Sequence, residues 1–361
     1  MVSPAEFMRR ALFQARRAEG ATTPNPMVGA LIVSDQGDVV GYGRHPRAGE
    51  PHAEIFALRD AGDRASGATM YVTLEPCCHT GRTGPCTKAI IAAGIRRVVA
   101  AMPDPNPLVA GKGIAELRAH GIEVEVGLLH DEAERLNRAF TIVQTHGRPM
   151  VIAKVATSGD GRIAAAPGVR TRMTSEAANR RTQRLRASCD AVGVGSGTLL
   201  ADDPLLTVRE LFRPRPLARV IFDRRLRTPA TARVFSTLAS GPVIILTTGE
   251  AVAREPHGAA SLRDAGATIV EGTGDLRTDL RTLTGFEIST LLLEGGAALH
   301  AAAWQADVVD RLHVIVAATA LGERGVPMFN GIEIPVSRLA PVRTERLGPD
   351  MWMEADVHGH C

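Results

Sequence analysis

Three short stretches carry residue types that could do chemistry together: His52-Ala53-Glu54, then Pro76-Cys77-Cys78-His79, then Pro85-Cys86. A histidine and two separated cysteines are donors that zinc prefers, and three protein ligands leave a fourth position for water. Zinc held in this way brings the pKa of water towards ~7, so hydrolysis becomes possible near neutral pH. A glutamate two residues from the histidine can face that water without binding the metal, and can carry protons from it to a leaving amine. This set of parts is suited to removing an amine from an aminated ring. A closed structural site is the alternative, with Cys78 or His79 as the fourth ligand. The acid so close to the histidine argues for the open, catalytic form. The assignment is therefore His52, Cys77 and Cys86 on the metal and Glu54 as the acid/base, with Cys78 read as a small buried residue.

Such residues have to sit at the ends of elements. From Pro51 the pattern turns helical, with Ile55, Phe56 and Leu58 apolar and Gly62 as its stop, so His52 and Glu54 fall in a first turn. Thr69 to Leu74 reads as a strand ending at Glu75-Pro76, and Cys86 opens a helix that runs to Gly94. Unpaired amides at that helix start favour a thiolate on Cys86. Upstream, Ser3-Pro4-Ala5-Glu6 predicts a capped helix with Phe7, Met8, Ala11, Leu12 and Ala15 on its apolar face, and Met27 to Val33 a buried strand just after Asn25. Strands are expected at Arg97 to Met102 and Ile122 to Val126, then a helix over Asp131 to Phe140. The break Thr145-His146-Gly147-Arg148-Pro149 sets a domain boundary, giving 1–146 and 149–361.

The second half repeats the α/β alternation, with strand candidates at Met150 to Val155, Ala191 to Val194, Ala218 to Phe222, Val243 to Leu246, Ala267 to Val270, Ile288 to Leu293 and Leu312 to Ala317. Two glycine-rich turns follow strands. Gly193-Val-Gly-Ser-Gly-Thr198 lacks the third glycine of a dinucleotide fingerprint. Leu291-Leu-Leu-Glu-Gly-Gly-Ala297 runs into a helix whose first amides suit a pyrophosphate. Glu176 and Arg180 stand at helical spacing as a solvated pair, and Arg181 and Arg184 are expected at the surface as well.

A chain of 361 residues accommodates two α/β domains. Its 42 Lys+Arg against 39 Asp+Glu leave +3, too little for a field that would attract nucleic acid or an anionic membrane. Aromatic residues are 4%, few for a surface that stacks single-stranded bases. Those values disfavour a structural-zinc module that binds RNA. Five cysteines, three of them between Cys77 and Cys86, suggest metal binding in a reducing cytoplasm rather than disulfides. Arginines through the N-terminal segment and the lack of a long apolar run point to a protein neither exported nor embedded in a membrane.

Two longer motifs narrow the reading. Thr73-Leu-Glu-Pro-Cys-Cys-His-Thr-Gly-Arg-Thr-Gly-Pro-Cys86 spaces its cysteines more widely than the short PCxxC form, and Asp104-Pro-Asn-Pro-Leu-Val-Ala-Gly-Lys-Gly113 follows it. With these the sequence resembles, nearly end to end, the bifunctional deaminase/reductases of riboflavin biosynthesis. The resemblance implies an N-terminal cytidine-deaminase-like three-layer domain followed by a dihydrofolate-reductase-like α/β domain that uses NADPH. The first would hydrolyse the ring 2-amino group of a diaminopyrimidinone bearing a phosphoribosylamino group. The second would reduce the opened ribose at C1 to a ribityl chain. By position, Asn25, His45, Arg82 and Asn106 match residues that hold the pyrimidine or the ribose phosphate. Ala156, Thr198, Asp202, Gly295 and Gly296 match cofactor positions, and Arg186, Leu206, Arg209 and Glu294 match reductase substrate positions, with Lys154 in the strand lining that site. A small-molecule substrate and a homo-oligomeric assembly complete the expectation.

The chain departs from the family pattern at four places. Gly84 stands where a proline is typical, leaving the ligands in place but the loop less stiff. Arg170-Thr-Arg172-Met-Thr-Ser175 replaces a substrate contact with Arg170 and a cofactor-side tryptophan with Arg172, and Arg224 replaces a serine. These arginines could bind the phosphate of NADPH or of the substrate bidentately. An active deaminase with an impaired reductase is the alternative they raise.

Overall fold

Ser3 caps the first helix, α1 (Pro4–Arg16), by accepting from the Glu6 amide, and Pro4 takes the first helical position. Phe7, Met8, Ala11, Leu12 and Ala15 form its buried face. There follow β1 (Gly29–Val33), β2 (Val39–Arg44), α2 (Ala53–Ala61), β3 (Thr69–Val72), α3 (Cys86–Ala92), β4 (Arg97–Ala100), α4 (Lys112–Ala119), β5 (Glu123–Val126) and α5 (His130–His146). This computed structural model describes residues 2–79, 84–107 and 109–357. The chain divides into two units, Met1–Gly147 and Arg148–Cys361.

In the first unit the strand order is β2-β1-β3-β4-β5, with β1 antiparallel to both neighbours and β3, β4 and β5 parallel. Neighbouring side chains along a strand point to opposite faces, and two glycines show which helix covers which. A Cβ on Gly29 would lie 2.0 Å from the Ala11 carbonyl oxygen of α1, whereas one on Gly43, paired opposite Ala30, would lie 1.9 Å from the Ala53 oxygen of α2. The two helices therefore press backbone-close onto opposite faces. α5 packs with α1, while α3 packs with α2 and α4, which gives three layers.

The second unit contains β6 (Met150–Ser158), β7 (Arg162–Ala164), α6 (Glu176–Ser188), β8 (Ala191–Gly195), α7 (Ser196–Asp202), β9 (Ala218–Phe222), β10 (Val243–Thr248), α8 (Gly249–Arg254), α9 (Pro256–Asp264), β11 (Ala267–Gly272), α10 (Leu276–Thr282), β12 (Thr290–Leu293), α11 (Ala297–Gln305), β13 (Val309–Ala317), β14 (Val326–Pro327), β15 (Leu339–Leu347) and β16 (Asp350–Val357). Its main sheet has the order β11-β10-β9-β8-β12-β6-β13-β16-β15, parallel as far as β13 and then antiparallel. β7 and β14 pair separately. Central strands such as β8 and β12 are buried on both faces and read as continuous apolar runs, as parallel strands covered by helices do.

Two local expectations are corrected. Thr145 and His146, read as the start of a break, continue α5, which ends at Gly147 in the left-handed region with φ 67°. Arg181 is not a free surface group: its guanidinium lies 5.2 Å from the Trp352 ring centroid and pairs with Glu345. Among the described residues no helix is long and apolar enough to cross a membrane.

The approach of α2 to β2 gives a stability test. Gly43→Ala forces a methyl group against the Ala53 carbonyl and should cost about 1–3 kcal/mol. Urea unfolding would show it as a lower midpoint at an unchanged slope. An unchanged midpoint would mean that α2 shifts without cost.

Candidate functional site

His52 is the residue that precedes α2, in extended conformation, and Glu54 lies in the first turn with 3% of its surface exposed. Cys77 follows β3, and Cys86 is the first residue of α3. The His52 Nδ1 atom lies 3.5 Å from Cys77 Sγ and 3.3 Å from Cys86 Sγ, and the amide of Cys86 donates to Cys77 Sγ at 3.4 Å. Among the described residues these three donors form the group able to hold a metal ion, all within 4.8 Å of one another. Cys78 and His79 are not part of it.

The charges around the cluster fit a dication. Cys77 is drawn down to about 4, first by its hydrogen bond with Cys86, and Cys86 is pushed up by that same bond and by burial. Burial, followed by the charge on Cys77, raises Glu54 to about 7. Its Oε2 atom is buried with no hydrogen-bond partner among the described residues. A buried carboxylate oxygen left unpaired beside two thiols and an imidazole is the orphan that a bound metal and water would satisfy.

His52, Glu54 and Cys77 line a cavity of about 360 Å³ together with Asn25, His45 and Asn106. His45 is 1% exposed, and burial keeps its pKa down, so the ring is neutral. A ring with hydrogen on Nδ1 donates to the Pro51 carbonyl at 3.1 Å and accepts from Asn25 Nδ2 at 3.0 Å. Asn137, at a kink in α5, exchanges two hydrogen bonds with the backbone of Met27 and so fixes the approach to β1. Arg82 lies outside the described residues. Sequence reasoning did not single out Asp104, Phe140 or Gln144, which also line the cavity. Asp104 opens the motif that runs from Asp104 to Gly113, and its place there is the signal that points to it.

In the second unit three predicted residues converge. Glu294, directly after β12, pairs with Arg186 of α6 at 2.9 Å between Oε2 and Nη2 and with Lys154 of β6 at 3.3 Å. Burial alone would raise the Glu294 carboxyl, but Arg186 and Lys154 hold it down at about 2. Arg186 also donates to the Thr207 carbonyl, next to the buried Leu206. Ala156 lies two residues beyond Lys154 and so on the same face of β6.

Thr198 meets the glycine turn ahead of α11: a Cβ on Gly295 would lie 2.9 Å from its Oγ1 atom, and one on Gly296 3.1 Å. The glycines let the Val194 and Thr198 side chains pack against the backbone ahead of α11, and the positive φ of Gly296, 69°, makes the turn into that helix. Beside it, a cleft of about 430 Å³ at the ends of β8, β9 and β10 is lined by Gly197, Arg224, Arg225, Arg227 and Leu299. Asp202 is half-buried at the end of α7, within range of the charge on Arg170. Arg170, Arg172 and Arg209 are exposed.

Residues 149–353 match the RibD C-terminal domain, and residues 1–102 match the cytidine and deoxycytidylate deaminase zinc-binding region. A riboflavin biosynthesis protein RibD from Synechocystis is 42% identical over 360 residues, covering 98% of this chain and 96% of that one. The chain belongs to the RibD family. RibD of Escherichia coli is likewise 42% identical, over 96% of this chain and 97% of its own. The solved structure of Acinetobacter baumannii RibD superposes with a TM-score of 0.86 at 39% identity, and covers 98% of both chains. A Thermotoga maritima structure titled as a diaminohydroxyphosphoribosylaminopyrimidine deaminase/5-amino-6-(5-phosphoribosylamino)uracil reductase reaches 0.85 at 33%, again over 98% of both. As a RibD family member the chain is a bifunctional enzyme, with a zinc-dependent deaminase and an NADPH-dependent reductase. The two expected architectures are both present. No finding supports an impaired reductase.

The buried charge group of this reductase yields a second test. Glu294→Gln keeps the shape but leaves Lys154 and Arg186 without their counter-charge, which should destabilise the protein by about 3–5 kcal/mol at pH 7. The folded pKa of Glu294 lies below its ordinary 4.5, so its stabilisation is present above that value and is lost as pH falls towards about 2. Calorimetry should therefore show the gap between wild type and variant closing over that window. A gap that stays constant with pH would exclude the triad as its source.

Proposed function

We propose that residues 1–146 deaminate a diaminohydroxyphosphoribosylaminopyrimidine and that residues 149–361 reduce the ribosyl side chain of the product. The observation that carries the first step is the unpaired, buried Oε2 atom of Glu54 beside the His52, Cys77 and Cys86 cluster, at a cavity that Glu54, His52 and Cys77 line. In this reading His52, Cys77 and Cys86 hold zinc, which when bound supplies the Lewis acidity that makes water nucleophilic near neutral pH. Glu54 takes the proton of the attacking water on Oε2 and gives it to the amine at ring carbon 2. The carbon–nitrogen bond breaks and ammonia leaves. Asn25 and neutral His45, a hydrogen-bonded pair, would orient the pyrimidine with Asn106 of the same cavity, and Arg82 would bind the ribose phosphate.

For the second step NADPH, when bound, supplies hydride to C1 of the opened ribose. The first amides of α11, after the turn at Gly295 and Gly296, would hold its pyrophosphate beside Thr198 and the cleft that Arg224 lines, while Ala156, Asp202 and Arg172 would complete the cofactor side. Lys154, Glu294 and Arg186 face the sugar with one net positive charge, and Leu206, Arg209 and Arg170 close the substrate side. Balanced charge and few aromatics support a small-molecule substrate with no nucleic-acid or membrane partner. Free thiols at Cys77 and Cys86 suit the reducing cytoplasm. Homo-oligomeric assembly belongs to the same proposal.

Incubating the protein with the product of GTP cyclohydrolase II, with and without NADPH, reads both steps. Ammonia should appear in both arms and NADPH oxidation in the second, and ammonia in neither would sink the proposal. Glu54→Gln should lower the deamination rate about 10²–10⁴-fold. The variant should keep its zinc and its reduction of pre-deaminated substrate.

A further inference from the structure

Glu75 sits between the end of β3 and the Pro76-Cys77 pair and is 3% exposed. Its carboxylate is saturated by four backbone amides of one distant segment. Oε2 accepts from Asp104 at 3.1 Å and Gly111 at 2.9 Å, and Oε1 accepts from Gly113 at 2.9 Å and Ile114 at 3.2 Å. The last two amides belong to the first turn of α4, whose own capping position is Gly111, without a side chain to cap it. A carboxylate from the metal-ligand loop therefore caps a helix of a different segment.

The same segment supplies one wall of the deaminase cavity. Asp104, whose amide Glu75 holds, accepts from the Asn106 amide at 2.8 Å through Oδ1, and both residues line the cavity with Val109. The contact is backbone-tight on its other side as well: a Cβ on Gly113 would lie 2.0 Å from the Pro76 carbonyl oxygen. Glu75 thus ties the loop that carries Cys77 to the loop that carries Asp104 and Asn106.

We propose that Glu75 is a positioning residue of the deaminase, setting the register of the 104–114 segment against the Cys77 loop and thereby the affinity for substrate. The proposal rests on the deaminase reading above. A carboxamide in its place would turn an NH2 group towards two amide donors, leaving both unpaired and the segment free to drift. Loss of positioning on the substrate side raises KM, whereas damage to the metal site lowers kcat.

The test uses the full chain and the GTP cyclohydrolase II product. Glu75→Gln should raise the KM for deamination about tenfold, with kcat within about twofold, bound zinc per chain unchanged and reduction of pre-deaminated substrate unchanged. Glu75→Asp, which keeps the charge on a shorter arm, should recover part of the affinity, and it carries the test if Glu75→Gln does not fold. A fall in kcat together with zinc loss at unchanged KM would overturn the proposal, as would wild-type kinetics in Glu75→Gln. A wild-type protein that releases no ammonia would instead remove the deaminase reading beneath it.

Discussion

Two helix N-termini meet at the end of one strand, and the deaminase cavity depends on that meeting. His52 ends the approach to α2, Cys86 begins α3, and the amide of Cys86 donates to the sulfur of Cys77 beyond β3. The amides of a helix start favour negative charge, so these positions suit thiolates and a carboxylate. Yet Cys77, Cys86 and Glu54 together would put three anions in one buried place. The hydrogen bond with Cys77 and then burial push Cys86 up, burial and the charge on Cys77 push Glu54 up, and a dication among them relieves both.

The reductase unit meets a similar problem with its own side chains. The Glu294 side chain is also largely withdrawn from water, but Arg186 and Lys154 flank it and keep it ionised. The three groups come from α6, β6 and the end of β12, elements far apart in sequence that the parallel order β8-β12-β6 brings side by side. A site that supplies its own cations needs no metal to hold a carboxylate ionised. What it gains is a fixed, net positive surface beside the glycine turn, suited to hydroxyl and phosphate groups.

Much of this was legible in the sequence where local chemistry speaks. Ser3, Gly62 and the Cys86 helix start follow capping and stop rules, and the metal group is three residue types at telling intervals. β2 was not anticipated because Gly41 and Gly43 look like a turn, whereas they are the room that α2 needs on the sheet. β15 carries no alternating apolar pattern because most of it is exposed, with Pro341 within it. Glu75 lies within the Thr73 to Cys86 motif, but its partners are backbone amides 29 to 39 residues away, and backbone amides leave no mark on a residue pattern. Arg181 reads as a solvated helix residue until Trp352, from the last strand, arrives beneath it.

The three arginines that break the family pattern can now be weighed against the groups they accompany. Arg170 and Arg172 are exposed, and Arg224 lines the open cleft at the strand ends, so none of them is buried with the triad. An arginine in water carries almost no desolvation cost and can move its charge by rotating, whereas Lys154, Glu294 and Arg186 are fixed by one another. Substitutions at such positions alter the charge around the site by whole units and leave its buried geometry alone. They therefore bear on how tightly anionic ligands are drawn in, and the buried triad keeps its geometry and charge whatever those three positions hold.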